Sequence, residues 1–197
     1  FRVTLDSKIQ YPAACNAAEN VLVHRDVAEK FLPKMCMLFA ENGVEVRADA
    51  SVSGIEGVFG TVQATEEDWG TEYGAPIVSV KVVDSIEEAV EFIAKYGSNH
   101  TDAIITENSA SMRYFVKMVD SADVFVNAST RFADGFRFGK GAEVGISTSK
   151  IHARGPVGME GLTIYKYILI GKGQEVRGYA DGTKKFKHLK NERKCPL

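Results

Sequence analysis

"PIVSVKVVDSIEEAVEFIAKYG" (residues 76–97) reads as a strand delivered straight into a helix. Residues 76–83 form an apolar, Val-rich run of strand length, the pattern of a strand buried on both faces. Asp84 and Glu87 then have the spacing of a capping box, which starts a helix by satisfying its first free N–H groups. Ile86, Ala89, Val90, Phe92 and Ile93 recur at helical spacing as one apolar face, and Gly97 offers a stop. One such unit is a βα module, and a chain that repeats it builds an α/β fold.

The repeat extends in both directions. Downstream, "DAIITE" (102–107) reads as a strand, 109–119 as a helix and "DVFVNAS" (123–129) as another strand. Upstream, "NVLVH" (20–24) is a short buried strand, and Asp26 with Glu29 predicts a helix start. Phe31, Leu32, Met35, Leu38 and Phe39 carry that helix to Gly43. "VEVRAD" (44–49) alternates as a strand, whereas residues 51–75 are mostly loop. The alternation predicts a largely parallel sheet with crossover helices. Chemistry is then expected outside the carboxyl ends of strands.

From Ser129 the periodicity fades. Residues 129–163 hold seven glycines and a basic set of Arg131, Arg137, Lys140, Lys150, His152 and Arg154. A long irregular stretch with buried-type Phe and Ile residues is expected to be functional rather than disordered. The basic set suits a phosphate or carboxylate, since Arg binds such groups bidentately; a solvated basic loop is the plainer reading. "GKGAEVG" (139–145) follows no strand and lacks the G-K-[ST] closure, so it is not a P-loop. "TIYKYILIG" (163–171) reads as a strand with bulky side chains on both faces.

Composition narrows the function. The chain has 197 residues, 45% hydrophobic and 25% charged, with a formal charge of −2. That balance gives no electrostatic reason to expect nucleic acid or an anionic membrane as partner, and no apolar run reaches the roughly 18 residues of a spanning helix. Cys15, Cys36 and Cys195 are three cysteines at wide spacing, which fits reduced thiols in a cytosol-like compartment rather than a disulfide framework. The four histidines show no zinc-ligand spacing, and no metal is expected. The opening "FRVTLDSK" lacks an initiator Met and reads as the tail of a strand entering a loop, suggesting a piece of a longer protein.

Cys15 follows Pro12 and two alanines, small neighbours that leave room for a ligand at a thiol. By residue type alone, a packing cysteine is the commoner outcome. Cys36 lies within the amphipathic helix and fits that outcome. His100, in "YGSNHTD" (96–102), is placed either to face substrate or to serve as a hydrogen-bonded structural residue.

Taken together, "YPAACNAAE" (11–19), "TEYGAP" (71–76), "YGSNHTD", "VFVNASTRFADGFRFGKGAEVGISTSKIHARGPVGMEGLT" (124–163) and "YKYILIGKGQ" (165–174) resemble the γ-glutamyl phosphate reductases, or glutamate-5-semialdehyde dehydrogenases. The same pattern occurs in the reductase half of bifunctional pyrroline-5-carboxylate synthases. The resemblance runs in order through essentially the whole chain. It implies the aldehyde dehydrogenase fold and NADPH-dependent reduction of L-glutamyl 5-phosphate to glutamate 5-semialdehyde, the second step of proline biosynthesis. It makes Cys15 the nucleophile, reversing the bland reading, with Asn16 or nearby backbone N–H groups meeting the oxyanion. It assigns Glu72 to the nicotinamide ribose, and Asn127, Ser129, Thr130, Arg131 and His100 to the substrate side.

By the same resemblance, residues 1–162 are a cysteine-bearing catalytic domain. Residues 163–197 are an oligomerisation strand and polar tail, making a dimer or higher homo-oligomer. The family is about twice this length, so the N-terminal nucleotide-binding half is expected to be absent from this chain. A cytoplasmic location is implied, or a mitochondrial one for a eukaryotic bifunctional enzyme, and association with a glutamate kinase is compatible. Two rivals stand beside this reading: a cysteine hydrolase pairing Cys15 with His24 or His100, and a non-catalytic assembly fragment.

Overall fold

The computed structural model describes residues 1–188, which form a unit of residues 1–163 and a second unit that begins at Ile164. In the first unit, β1 (Asn20–His24), β2 (Glu45–Ala48), β3 (Val62–Gln63) and β4 (Ile77–Val83) form one parallel sheet in the order β1-β4-β2-β3. β4 lies between β1 and β2, with Val80 beside Val21 on one side and beside Ala48 on the other. Its Val78 and Val80 are fully buried, as a central parallel strand requires.

Helix α2 (Arg25–Glu41) covers this sheet with Leu32, Met35, Cys36 and Phe39, and α3 (Ala50–Ser53) adds Val52. Leu32 and Phe39 are completely enclosed, and each contributes roughly 1.5–3 kcal/mol by burial. Gly43, at φ +70°, takes the left-handed turn that ends α2.

The strand–helix alternation holds, with two corrections at helix starts. His24 rather than Asp26 caps α2, its Nδ1 accepting from Asp26 N at 3.2 Å. In α4 (Ile86–Tyr96) the cap is Ser85, which accepts from Glu88 N, while Glu88 in turn accepts from Asp84 N at 2.7 Å. Ser85–Glu88 and Asp84–Glu87 have the same spacing, and Asp84 is drawn away to pair with Arg25.

The strands do not join into one sheet. β5 (Thr101–Ile104) and β6 (Asp123–Val126) form a separate parallel pair linked by α5 (Ser109–Met118). Their core of Val90, Phe115 and Val119 is distinct from the one beneath α2. A short antiparallel pair, β7 (Gly145–Ser147) with β8 (Gly155–Val157), organises the glycine-rich stretch.

The opening segment is also different from expectation: α1 (Arg2–Ile9) is a helix, not a strand tail. Its fully buried residues are the polar Ser7 and Lys8, while Leu5 and Ile9 are only partly buried against the α2 core. Ser7 contacts Ser129 far along the chain, whereas Lys8 pairs with Glu19 just before β1.

Residues 164–170 of the second unit, expected to form a strand together with Thr163 of the first, have no ladder partner among the described residues. Ile164, Tyr165, Tyr167 and Leu169 are almost fully exposed. A strand is defined by its pairing, and the described residues supply none. A short helix, α6 (Arg177–Ala180), follows. Cys195 lies outside the described residues. Among those residues, no helix is long and apolar enough to cross a membrane, and no group of three His, Cys, Asp or Glu side chains gathers as metal ligands.

Candidate active site

Cys15 sits on the turn between α1 and β1, exposed, in a backbone folded by Ala14 N to Tyr11 O and Ala17 N to Ala14 O hydrogen bonds. Partial burial raises its pKa, as do the charges of Glu143 and Glu72, while its own backbone N–H and Arg131 pull the other way. Two carboxylates and one guanidinium therefore act on this thiol. Cys36 is only 4% exposed, and burial pushes its thiol up to about 11. Iodoacetamide is thus expected to label Cys15 and leave Cys36 unmodified at pH 8 in the folded chain. Because the Cys15 pKa lies above the ordinary range, its rate should still be climbing with pH through 9. Peptide mapping that finds Cys36 labelled as fast as Cys15 would contradict the placement.

Glu72 is exposed on the loop entering β4 and has no side-chain partner among the described residues. The loop beneath it is rigidly held. Tyr73 Oη lies 2.9 Å from Asp68 Oδ1 and 2.6 Å from Ser79 Oγ, and Arg47 donates to Asp68 Oδ1 at 2.6 Å. Burial alone would raise the Asp68 pKa, but the Thr65 N–H, Arg47 and the Tyr73 and Thr65 hydroxyls overcome it and hold the carboxyl well below its usual range. A free carboxylate on an anchored loop beside the thiol fits a nicotinamide ribose, whose two hydroxyls need an acceptor.

Arg131 belongs to a short 3₁₀ turn, Thr130–Phe132, after β6. Its Nε donates to Gln10 Oε1 at 2.8 Å, and the guanidinium lies 5.8 Å from the centre of the Tyr11 ring. It is thus held by the cysteine turn itself. With Asp6, Gln10, Phe132 and Arg137 it lines a pocket of about 220 Å³. Burial and the neighbouring Arg137 charge lower its pKa, while Cys15, Asp134 and Asp6 oppose them; two guanidiniums against the one Asp6 carboxylate leave the pocket lining net positive.

Other expected site residues have structural duties. Asn16 is buried and donates Nδ2 to Ala133 O at 2.6 Å, tying the cysteine turn to the 130–133 turn. That bond uses one of the two amide hydrogens, and the Cys15 backbone N–H is a second donor beside the sulfur. Asn127, at φ +55°, bonds Thr106 N and Thr106 O at 2.8 Å each and closes the β5–β6 end. Ser129 is buried, with Oγ lying 3.2 Å from Ser7 Oγ and accepting from Arg131 N. Thr130 is buried too, its N–H donating to Ser7 Oγ. These residues shape the loop from which Arg131 projects.

His100 is buried, with Nδ1 2.6 Å from Thr101 Oγ1 and Nε2 unpartnered. Burial lowers its pKa against the opposing charges of Asp123, Glu72, Glu143 and Asp102. No hydrogen bond joins it to Cys15 among the described residues. His24 is spent on its helix cap.

Sequence reasoning missed Glu143. This exposed carboxylate accepts from Gly135 N at 2.6 Å and acts on both Cys15 and His100. A Cβ on Gly135 would come within 3.1 Å of the Glu143 side chain, so glycine permits the approach. The only signal was one acid inside "GKGAEVG".

No protein-family model matches the chain. Over 186 residues it is 60% identical to the γ-glutamyl phosphate reductase of Methanococcoides burtonii, covering 93% of this chain and 41% of that protein. It is 53% identical over 197 residues to the enzyme of the same name from Acetivibrio thermocellus, covering 100% of this chain and 45% of the relative. The crystal structure of the Thermotoga maritima γ-glutamyl phosphate reductase superposes with a TM-score of 0.83 at 47% identity, over 88% of this chain and 42% of that one. An acetylating aldehyde dehydrogenase from Geobacillus thermoglucosidasius shares the fold at 17% identity, with a TM-score of 0.56. The chain spans less than half the length of these curated relatives. The resemblance read from the motifs holds along nearly the whole chain, and the fold is that of the aldehyde dehydrogenases.

Proposed function

We propose that this chain is the cysteine-bearing catalytic portion of a γ-glutamyl phosphate reductase, which reduces L-glutamyl 5-phosphate to L-glutamate 5-semialdehyde and phosphate. The observation that carries the reading is the grouping around Cys15: an exposed thiol acted on by the charge of a free Glu72 carboxylate and by Arg131, which Gln10 and Tyr11 hold against the cysteine turn. Nucleophile, cofactor anchor and anion anchor are thus within reach of one another.

The Cys15 thiolate attacks the acyl carbon, the C–O bond to phosphorus breaks, and phosphate leaves with that electron pair and the proton the thiol gave up. The γ-glutamyl group remains on Sγ as a thioester. Arg131 offsets negative charge on the phosphate or the substrate carboxylate, and the Cys15 backbone N–H faces the developing oxyanion. Glu72 accepts from the ribose hydroxyls of the nicotinamide nucleotide, for which the resemblance favours NADPH. That nucleotide, when bound, supplies the hydride that reduces the thioester. Return of the C–S bonding pair to Cys15 then frees the aldehyde. Water would waste the thioester, so the reaction needs no general base to activate water. The lack of a histidine hydrogen-bonded to Cys15 among the described residues favours this reading over a cysteine hydrolase.

The direct test is NADPH oxidation dependent on glutamyl phosphate in the full-length enzyme containing this chain. Hydrolytic turnover without nucleotide would support the hydrolase, and inertness the assembly fragment. Arg131→Ala should lower kcat/KM for glutamyl phosphate about 10- to 150-fold, the equivalent of one charge-assisted contact of roughly 1.5–3 kcal/mol. Steady-state kinetics unchanged in KM and kcat/KM would remove Arg131 from the substrate site.

The substrate is made by phosphorylation of glutamate, so a glutamate kinase is the class of enzyme that supplies it. We place the reaction in the cytoplasm, where three widely spaced cysteines stay reduced. The exposed apolar segment 163–170 is assigned to a partner subunit, since an unpaired strand with two apolar faces is an association hazard. Light scattering should find the full-length enzyme a dimer or larger at micromolar concentration, with Ile168→Lys reducing its mass. A monomer would contradict the assignment, and a dimer untouched by Ile168→Lys would move the interface elsewhere.

A further inference from the structure

Lys8 is completely buried, and its Nζ lies 2.7 Å from Glu19 Oε2. The two residues bracket Cys15, seven positions before it and four after. Beside them, Ala18 N donates to Ser7 O at 2.9 Å. Residues 9–18 therefore form a loop fastened at its base by one ion pair and one backbone bond, with the nucleophile near its far end. Glu19 continues outward: its backbone O accepts from Ser79 N in β4 at 2.9 Å. Burial raises the Glu19 pKa, against which the Lys8 ammonium and, more weakly, the N–H groups of Gly74 and Tyr73, directly after Glu72, favour the charged form; Oε1 has no partner in hydrogen-bond geometry. Next to Lys8, Ser7 holds Ser129 and Thr130, the base of the Arg131 turn.

A buried ion pair is a poor source of stability, because the desolvation of two charges offsets much of their attraction; such pairs are better at fixing geometry. Here the pair ties the cysteine loop, through Glu19, to β4, the strand that the Glu72 loop enters. We propose that Lys8 and Glu19 are positioning residues that set Cys15 against Glu72, and that their pairing serves the active site more than it serves the fold.

The test compares this chain with its Lys8→Met/Glu19→Leu form, in which apolar groups of similar size replace both charges. Single removals leave a buried charge uncompensated and are expected to lower the melting temperature, so the double variant is the informative one. It should melt at or above the parent temperature. Iodoacetamide labelling, followed at the Cys15 peptide, should become at least threefold faster at pH 7.5, and its pH midpoint should fall. The sign follows from the groups facing the thiol: Glu72 and Glu143 hold its pKa up and Arg131 holds it down, so releasing the turn from Glu72 weakens the first effect. Lys8→Arg, which keeps the pair, should return the labelling profile to within twofold of the parent.

A second arm rests on the reductase reading. In the full-length enzyme the double variant should slow hydride transfer at least tenfold while KM for glutamyl phosphate changes less than twofold. A superimposable labelling profile with unchanged hydride transfer would overturn the proposal, and so would failure of the double variant to fold. If the parent enzyme reduces nothing, the reductase reading fails, whereas the labelling arm still judges the clamp.

Discussion

Cys15→Ala in the full-length enzyme should abolish glutamyl phosphate reduction, with kcat falling by on the order of 10⁴-fold or more, the scale seen when a covalent nucleophile is removed. Cys15 is exposed on a turn and its side chain fills no part of either core. The substitution should therefore move stability by no more than about 0.5 kcal/mol, so lost activity cannot be blamed on lost fold. Cys15→Ser should fare no better, since a hydroxyl is a far weaker nucleophile and a poorer leaving group than a thiol. Normal turnover in Cys15→Ala, with an unchanged melting curve as control, would end the assignment.

The second large effect belongs to Glu72. Glu72→Ala should slow hydride transfer about 100-fold, the loss expected when a reacting group is misplaced by about an ångström, and should weaken NADPH binding. It should not slow acylation. Removing Glu72 takes away one of the two negative charges that raise the Cys15 pKa, so more thiolate is present near pH 7 and labelling of Cys15 should quicken. Acylation and hydride transfer thus separate in opposite directions, which general damage to the site would not produce. Single-turnover kinetics showing an unchanged hydride step with unchanged NADPH affinity would refute the role.

How far the sequence carried this picture depended on the kind of signal. β1, β4, α2 and α4 were legible because their burial is periodic: Val78 and Val80 lie deep in the sheet, and Leu32, Met35 and Phe39 lie on one helix face. α1 was invisible to the same reasoning, since its inward residues are a serine and a lysine that answer to polar partners more than 100 and 11 positions away. The split between the β1–β4 sheet and the β5–β6 pair was also hidden, because strand periodicity reports burial and not which strand lies alongside. Cap positions slipped by one or two residues where neighbouring side chains, such as Asp84 and Ser85, compete for the same role.

In the site, Cys15, Glu72 and Arg131 came from motif resemblance, and in the fold the charges of Glu72 and Arg131 act on the Cys15 thiol. Asn16, Asn127 and Ser129 came from the same motifs, yet their side chains are spent on Ala133, Thr106 and Ser7. A motif marks residues that a site needs without separating those that touch the substrate from those that hold the loops. Glu143 and the Lys8–Glu19 pair belong to the second kind, visible only when distant segments meet.

The central claim is a γ-glutamyl thioester on Cys15 that phosphate, rather than water, exchanges with. It is most directly tested in reverse. The full-length enzyme is mixed with L-glutamate 5-semialdehyde and NADP⁺, with and without inorganic phosphate, and the Cys15 peptide is analysed by mass spectrometry. Without phosphate the account predicts a burst of one NADPH per active site, then arrest, with the γ-glutamyl group on Cys15; added phosphate should restore turnover. Sustained turnover without phosphate, or a γ-glutamyl group on any other residue, would contradict it.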